Sequence, residues 1–517
     1  MEIDREIRKF RNRISPAQKA AFFGALIWGL VTHLAVFSAG LMYHDGVNYS
    51  GLCATYSSGR WMLGIMEEIG SRCLGIFQLP YLNGFAVLFL LAVSAMMITY
   101  LLKVSSDLTG VLIGAILVSF PGVAILFAYM FTAPAYALSL LMSIFSVYLV
   151  NEKPSLFRVF LGACFICLSL GIYQAYITFA ASLALITVIN DTLRQDEADI
   201  KAALTKGVSF VIMLFVGLLL YLLINKLFVS LKGVELTSYQ GLDKMGQFTF
   251  ADFLKAAAYV YPYQLQSFWT EIISSYWMLY ITRAIQAVSV LLFIRIVYQQ
   301  RKNMKKCIFA TILFLLLPMA YNSIFLISGM KASVHPLMQY ALVFTYIFPL
   351  VLLENLPKNG TLLKCEKYLG IGFLLLIALV PLSYTYRDNT AYLSASTSQE
   401  QAVLYCNSLV TRIKDTDGYS DELPVVYIGD KINDSTLGLL PTYGKFRMYT
   451  LDYTGRDMIN SYFEKFCALH LGWNPEVITD TEAFSEMAEV KSMPCYPDYG
   501  SVKILNGIVI VKFSETN

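Results

Sequence analysis

The chain has 517 residues, of which 57% are apolar, 14% aromatic and only 15% charged, against about 25% charged for an ordinary soluble domain. That composition excludes a soluble globular protein, identifies a polytopic membrane protein and gives no reason to expect a nucleic-acid partner. The net charge of +3 hides a split: residues 386–517 carry 11 Lys/Arg against 18 Asp/Glu, a net −7, and residues 1–385 carry the other 28 against 18, a net +10. An acidic, moderately polar end on a basic, apolar body reads as two domains in two solvents.

Residues 1–20 are basic and lead straight into an apolar run of membrane-spanning length, which is longer than the apolar core of a signal peptide and reads as a retained anchor. Further apolar runs follow, giving 21–42, 76–101, 107–128, 131–150, 157–171, 173–190, 207–230, 276–298, 307–328, 337–353 and 369–385. The predicted fold is a polytopic α-helical membrane protein of about 11 transmembrane helices over residues 21–385. Lys and Arg gather in alternate connections, for example Arg301, Lys302, Lys305 and Lys306, which places the N-terminus in the cytoplasm and those connections inside. An odd number of spans then brings the first loop, the 231–275 loop and the tail to the outer face. The nine cysteines are scattered with no metal spacing.

The first outer loop, Tyr43 to Gly75 (YHDGVNYSGLCATYSSGRWMLGIMEEIGSRCLG), is a polar segment between two apolar runs. It holds an acid, Asp45, flanked by His44 and Gly46. Arg60 follows a small-residue turn, Ser57-Ser58-Gly59, that admits a close phosphate, and Arg reads phosphate oxygens with a planar fork. Trp61 can stack on a sugar ring or anchor the interface. Glu67 and Glu68 lie on a predicted helix, about 100° apart around its axis, so at most one faces a site. For Asp45 the plain alternative is a helix cap or a solvated loop acid.

Farther on, YMFTAPAY (Tyr129 to Tyr136) and GIYQAY, with Tyr173 and Gln174, bring aromatic and amide groups to outer span ends. Sugar sites use such groups, and so do ordinary helix interfaces. Lys226, Arg283 and Arg295 are charges inside apolar runs, a position that is functional or snorkelling; the first two lie toward outer ends, and Arg295 toward an inner one. A short outer segment adds Lys331 and His335. The 231–275 loop alternates polar and aromatic residues over a helical period and is expected against the membrane interface. Residues 386–517 read as an extracytoplasmic α/β domain: a strand at LPVVYIGD, a helical RDMINSYFEKFCALHLGW, and VKILNGIVIVKF with an Asn506-Gly507 hairpin turn. No Gly-rich phosphate loop follows Gly429.

Outside a cell membrane there is no supply of ATP or nucleotide sugars, so a reaction there uses a donor that the membrane brings, and lipid-phosphate-linked sugars meet that need. Transfer asks for a carboxylate to take the acceptor's proton and cations to hold the departing phosphate. An acid just after span one, SGRW, the YQ pair and MPCYPDYGSVKILNGIVIVKF (Met493 to Phe513) together resemble the GtrII-type membrane glucosyltransferase family, enzymes of the GT-C fold class. The resemblance implies a bacterial plasma-membrane enzyme. It would move a sugar, typically glucose, from undecaprenyl phosphate to a surface glycan on the outer face.

Carried onto this chain, the resemblance makes Asp45 the base of an inverting displacement. Arg60, with Arg283 or Lys331, then receives the phosphate, and His44, Trp61, Glu67, Glu68, Tyr173, Gln174 and His335 become candidate sugar or acceptor contacts. Family members carry a second acid directly after the first; Gly46 stands there instead, which makes Glu67 or Glu68 a candidate second acid. No cofactor is required beyond the lipid-linked donor, and loop carboxylates could hold a divalent cation that a cationic phosphate site makes unnecessary. The alternatives are a flippase or transporter of lipid-linked glycans and a surface-polysaccharide polymerase. A transporter calls for matching halves with broken, polar helices, and the polar groups here gather at one face.

Overall fold

The computed structural model describes residues 14–42, 46–47, 51–52, 55–73, 75–194, 200–237, 249–267, 276–328, 330, 334–356, 364–432 and 454–515. His44, Asp45 and Lys331 lie outside the described residues. The chain divides into two compact units, residues 1–38 with 50–389, and residues 39–49 with 390–517.

The apolar runs lie mainly on helix, with 307–328 divided over three helices and 337–353 opening in 3-10 conformation. Among the described residues nine helices are long and apolar enough to cross a membrane. These include α1 (Pro16–Ala39), α3 (Pro80–Leu101), α6 (Ala133–Glu152), α8 (Tyr176–Arg194), α9 (Ile200–Lys232) and α11 (Tyr276–Gln299). A backbone in hydrocarbon must satisfy its own hydrogen bonds, so helix is the conformation these runs take. The run 107–128 is broken into α4 (Asp107–Ser119) and α5 (Pro121–Ala128), bent by 40°. Pro121 has no N–H to continue the ladder, and it forces Phe120 into an extended conformation. The run 157–171 is α7 (Leu156–Ile172), 17 residues long.

Small residues bring the spans together. A Cβ on Gly110 or Gly114 of α4 would meet the Ala17 or Ala21 carbonyl of α1 at 2.3 or 2.4 Å, so these two backbones touch; small residues four apart are how helices approach closely in lipid. In the same way Gly162 of α7 meets Met213, and Gly217 of α9 meets Ile166.

The two ends of this bundle differ in chemistry. At one end charges are matched: Asp191 pairs with Lys103 and Lys206, each at 2.6 Å. Glu354 caps the start of α4 by accepting from the Ser106 backbone N–H at 2.9 Å. At the opposite end aromatic rings collect around residues 56–61, 129–136, 173–176 and 335. The polypeptide continues through α2 (Trp61–Cys73), α10 (Phe250–Pro262), α12 (Met304–Leu315), α13 (Leu317–Tyr321) and α14 (Ser323–Ser328). A 3-10 segment, Pro336–Val343, then runs into α15 (Phe344–Glu354), and α16 (Lys364–Lys414) follows. α10 opens with a full capping box, Thr249 and Asp252 exchanging bonds, and shows Phe250 and Leu254 on its exposed face.

The second unit is an α/β assembly. Its sheet runs β1 (Val425–Ile428), β3 (Ile508–Lys512), β2 (Val502–Leu505), with β1 parallel and β2 antiparallel to β3. Asn506 and Gly507 both take positive φ, 52° and 76°, the backbone of a two-residue hairpin turn. The predicted helical stretch RDMINSYFEKFCALHLGW is two helices, α17 (Thr454–Ser461) and α18 (Phe463–Leu471), closed by Gly472 in the left-handed conformation. Two differences from the sequence reading concern boundaries. The second unit begins at residue 390, yet no break in the backbone marks it: α16 runs unbroken to Lys414, and its last part keeps a buried face of Ala402, Cys406, Leu409 and Ile413. The loop 43–75 is also shared, since Met42 and Val47 pack in the second unit's core.

Candidate active site

Residues Tyr56–Ser58 form one 3-10 turn that ends at Gly59, φ +70°. Glycine is required there twice over. A side chain disfavours that φ, and its Cβ would lie 2.8 Å from the Tyr221 hydroxyl and 3.1 Å from Gln174 Nε2. Those two groups fix the turn from neighbouring spans: Gln174 donates to the Ser58 carbonyl at 2.8 Å, and Tyr221 donates to the Gly59 carbonyl at 3.0 Å. The Thr237 N–H donates to the Ser57 carbonyl at 2.9 Å, and the Arg60 N–H to that of Thr55 at 2.9 Å.

The turn points Arg60 into a box of tyrosines. Its guanidinium lies 5.8 Å from the ring centre of Tyr136 and 5.7 Å from that of Tyr173, within reach of cation–π attraction. Tyr136 and Tyr173 stack at 4.4 Å, Tyr176 meets Tyr173 edge-on, and Tyr129 and Tyr221 contribute their dipoles. Arg60 forms no ion pair with a described residue, and its buried Nε donates to nothing. A guanidinium stays charged at any physiological pH, and in a poorly hydrated site a charge without a counter-charge is costly. The box is therefore a preformed place for an anion.

Trp61 begins α2 and is 5% exposed. Phe228 of α9 is sandwiched between it (5.5 Å, 7°) and Tyr56 (5.7 Å, 16°), and the indole edge abuts Gly171. This packing seats α2 on the bundle. Glu67 accepts from the Leu52 N–H at 2.9 Å. Glu68 accepts from the Tyr56 hydroxyl at 2.7 Å and pairs with Lys232 at 2.5 Å. The ammonium and the phenol hold its carboxyl below the usual range. Both carboxylates thus brace the loop. His335 caps the 3-10 segment by accepting from the Leu337 N–H, and sits edge-on to Tyr129 at 6.5 Å, on the rim of the tyrosine box. Burial pushes its pKa down to about 4, so it is a neutral imidazole.

The structure thus gathers Arg60, Tyr173, Gln174 and, at the rim, His335. Arg283 is on α11 with its side chain exposed, and no contact joins it to Arg60. The reading from sequence missed Tyr221, which holds the turn from inside an apolar run, and Lys232, which meets Glu68. Tyr221 and Asn225 stand four residues apart on one helix face beside the turn, and that spacing was the available signal. Among the described residues no three His, Cys, Asp or Glu side chains gather as a metal site.

The family model described as glucosyl transferase GtrII matches residues 34–350, well over half the chain and all of this site. The chain belongs to the GtrII glucosyltransferase family. No curated protein and no solved structure matches it. Membership makes the chain a glucosyltransferase by family, with a sugar donor and a glycan acceptor in general terms. The tyrosine box around Arg60 lies within the matched residues of this GtrII member.

Proposed function

We propose that this GtrII member transfers glucose from a polyprenyl-phosphate-linked donor to a surface glycan at the aromatic end of the bundle, on the outer face of a bacterial plasma membrane. The observation that carries the reading is Arg60, a half-buried cation set among tyrosines and without a carboxylate partner among the described residues, next to a glycine turn. A lipid-linked phosphodiester supplies the missing anion and arrives from the membrane itself.

In the mechanism, Asp45 removes the proton of an acceptor hydroxyl, the oxygen attacks the anomeric carbon, and the C–O bond to the phosphate breaks with inversion. Arg60 takes up the charge that the leaving phosphate develops, the kind of interaction that strengthens toward the transition state. Gln174 and Tyr221 keep Arg60 in place by holding the turn, and neutral His335, whose Nδ1 accepts from Leu337, can donate from Nε2 without adding charge. Arg283 and Lys331 remain proposed further phosphate contacts, and the tail a support for the acceptor.

The test is transfer by purified protein in lipid nanodiscs supplied with polyprenyl-phosphate glucose. Arg60→Gln should lower kcat/KM by about 100-fold or more, as loss of one charge-stabilising group does; Asp45→Asn should abolish transfer while the fold is kept. Unchanged turnover in Arg60→Gln would remove the phosphate assignment.

A further inference from the structure

Outside the tyrosine box, Asp388 on α16 is the buried acid that packing does not explain. Its side chain is fully buried and that of the adjacent Arg387 is 6% exposed. Neither carboxylate oxygen of Asp388 accepts a hydrogen bond, and Nη2 of Arg387 donates none. No hydrogen bond joins the two, although the guanidinium lies close enough for its charge to act on the carboxylate. α16 is fixed here by its other face: Asn389 donates to the Thr32 carbonyl of α1 at 3.0 Å, and Thr385 accepts from Trp28 Nε1 at 2.9 Å. Asp388 stands one turn beyond Tyr384 on the same face. The Tyr384 hydroxyl is already engaged with that of Tyr346 at 2.7 Å, which in turn meets Thr282 at 2.8 Å.

Buried polar groups in native proteins have hydrogen-bond partners, and a buried carboxyl that lacks them is costly. The position offers two unused acceptors beside one unused donor. A metal cation would satisfy Asp388 and leave Arg387 bare, and an anion would do the reverse. A polyol satisfies both, because each hydroxyl donates and accepts. We propose that Arg387 and Asp388 form a hexose-binding subsite, in which neighbouring sugar hydroxyls donate to the Asp388 oxygens and one accepts from Arg387. The proposal rests on the glucosyltransferase reading, and it concerns residues beyond the 34–350 matched to the family. Asp388 is enclosed, so the hexose reaches it only as neighbouring side chains move aside. In return the burial of Asp388 makes the site sensitive to a single missing hydroxyl.

The experiment compares binding and turnover of polyprenyl-phosphate glucose and its monodeoxy analogues in nanodiscs, for wild type, Asp388→Ala and the isosteric Asp388→Asn. Folding is followed by thermal melting. In wild type one deoxy analogue should lose about 100-fold in kcat/KM, and in Asp388→Ala the same analogue should lose no more than a few-fold. Should Asp388→Ala fail to fold, Asp388→Asn carries the comparison, with the penalty for that analogue reduced about 10-fold. Equal losses in wild type and variant for every analogue would show that Asp388 acts only on the fold and would overturn the subsite. A wild type that neither binds nor turns over any glucosyl lipid would contradict the transferase reading instead. Binding of methyl glucoside and its deoxy analogues would then decide the subsite by the same criterion.

Discussion

Gly59 holds the most constrained backbone in the site, and its replacement separates the turn from the rest of the bundle. Alanine there pays about 1 kcal/mol for its φ and displaces the Tyr221 hydroxyl that holds the turn. Gly59→Ala should therefore lower transfer at least 10-fold with only a modest fall in thermal midpoint, checked by assaying and melting the same sample. His335 gives a pH prediction. Its folded pKa is about 4 against 6.5 in an unfolded chain, so the unfolded state binds the extra proton and stability falls as pH drops from 6.5 toward 4. Above 6.5 the group contributes no slope. His335→Asn keeps a capping acceptor and should flatten that part of the melting-temperature profile; an unchanged profile would contradict the buried, neutral imidazole. Glu68 is also shifted downward, but because Lys232 and Tyr56 favour its charged form rather than because burial disfavours it. Its contribution is present above the ordinary value of 4.5 and is lost as pH falls through its folded value, so Glu68→Gln should remove dependence only at the acid end. These roles were legible in part. SSGRW announced a tight turn with a cation, whereas the partners that define what the cation does, Tyr221 and Tyr136, come from spans far away in sequence, where a tyrosine among apolar residues looks like any other.

Among the elements, the contact of α1 with α4 depends on the absence of side chains. Gly114→Ala puts a methyl 2.4 Å from the Ala21 carbonyl, and overpacking of this kind costs about 1–3 kcal/mol. Gly207, within α9, has nothing within 4 Å of its would-be Cβ, and alanine there gains up to about 1 kcal/mol of helix propensity. Melting of the two variants in the same detergent should move in opposite directions; a fall for Gly207→Ala equal to that for Gly114→Ala would contradict the packing described. Helices were the most legible elements, because lipid leaves a spanning backbone no other choice, and Pro121 marked the break in 107–128. The Asn506-Gly507 turn was equally plain, since both residues tolerate positive φ. The length of α16 was not: Arg387 and Asp388 ended the apolar run and so looked like the start of a solvated tail, while the buried face of residues 390–414 has to be read across polar neighbours.

For the whole molecule, composition identified the membrane body and charge separated the tail, yet neither shows that the first loop is divided, with residues 39–49 grouped in the second unit and 50 onward in the first. That division depends on contacts between residues more than 350 positions apart, such as the Met42 N–H donating to Gln399 Oε1 at 2.7 Å. The proposed sidedness has its own check. Cys495, partly exposed in the second unit, should react with a membrane-impermeant maleimide in intact cells; labelling only after lysis would put the tail inside. The central claim is that Arg60 receives the phosphate of a lipid-linked glucosyl donor. The most direct measurement is release of polyprenyl phosphate from polyprenyl-phosphate glucose by wild type and Arg60→Gln in nanodiscs with acceptor glycan present. The account predicts release by wild type and a loss of about 100-fold in the variant. Equal release by both, or no release by a folded wild type that binds the lipid, would contradict it.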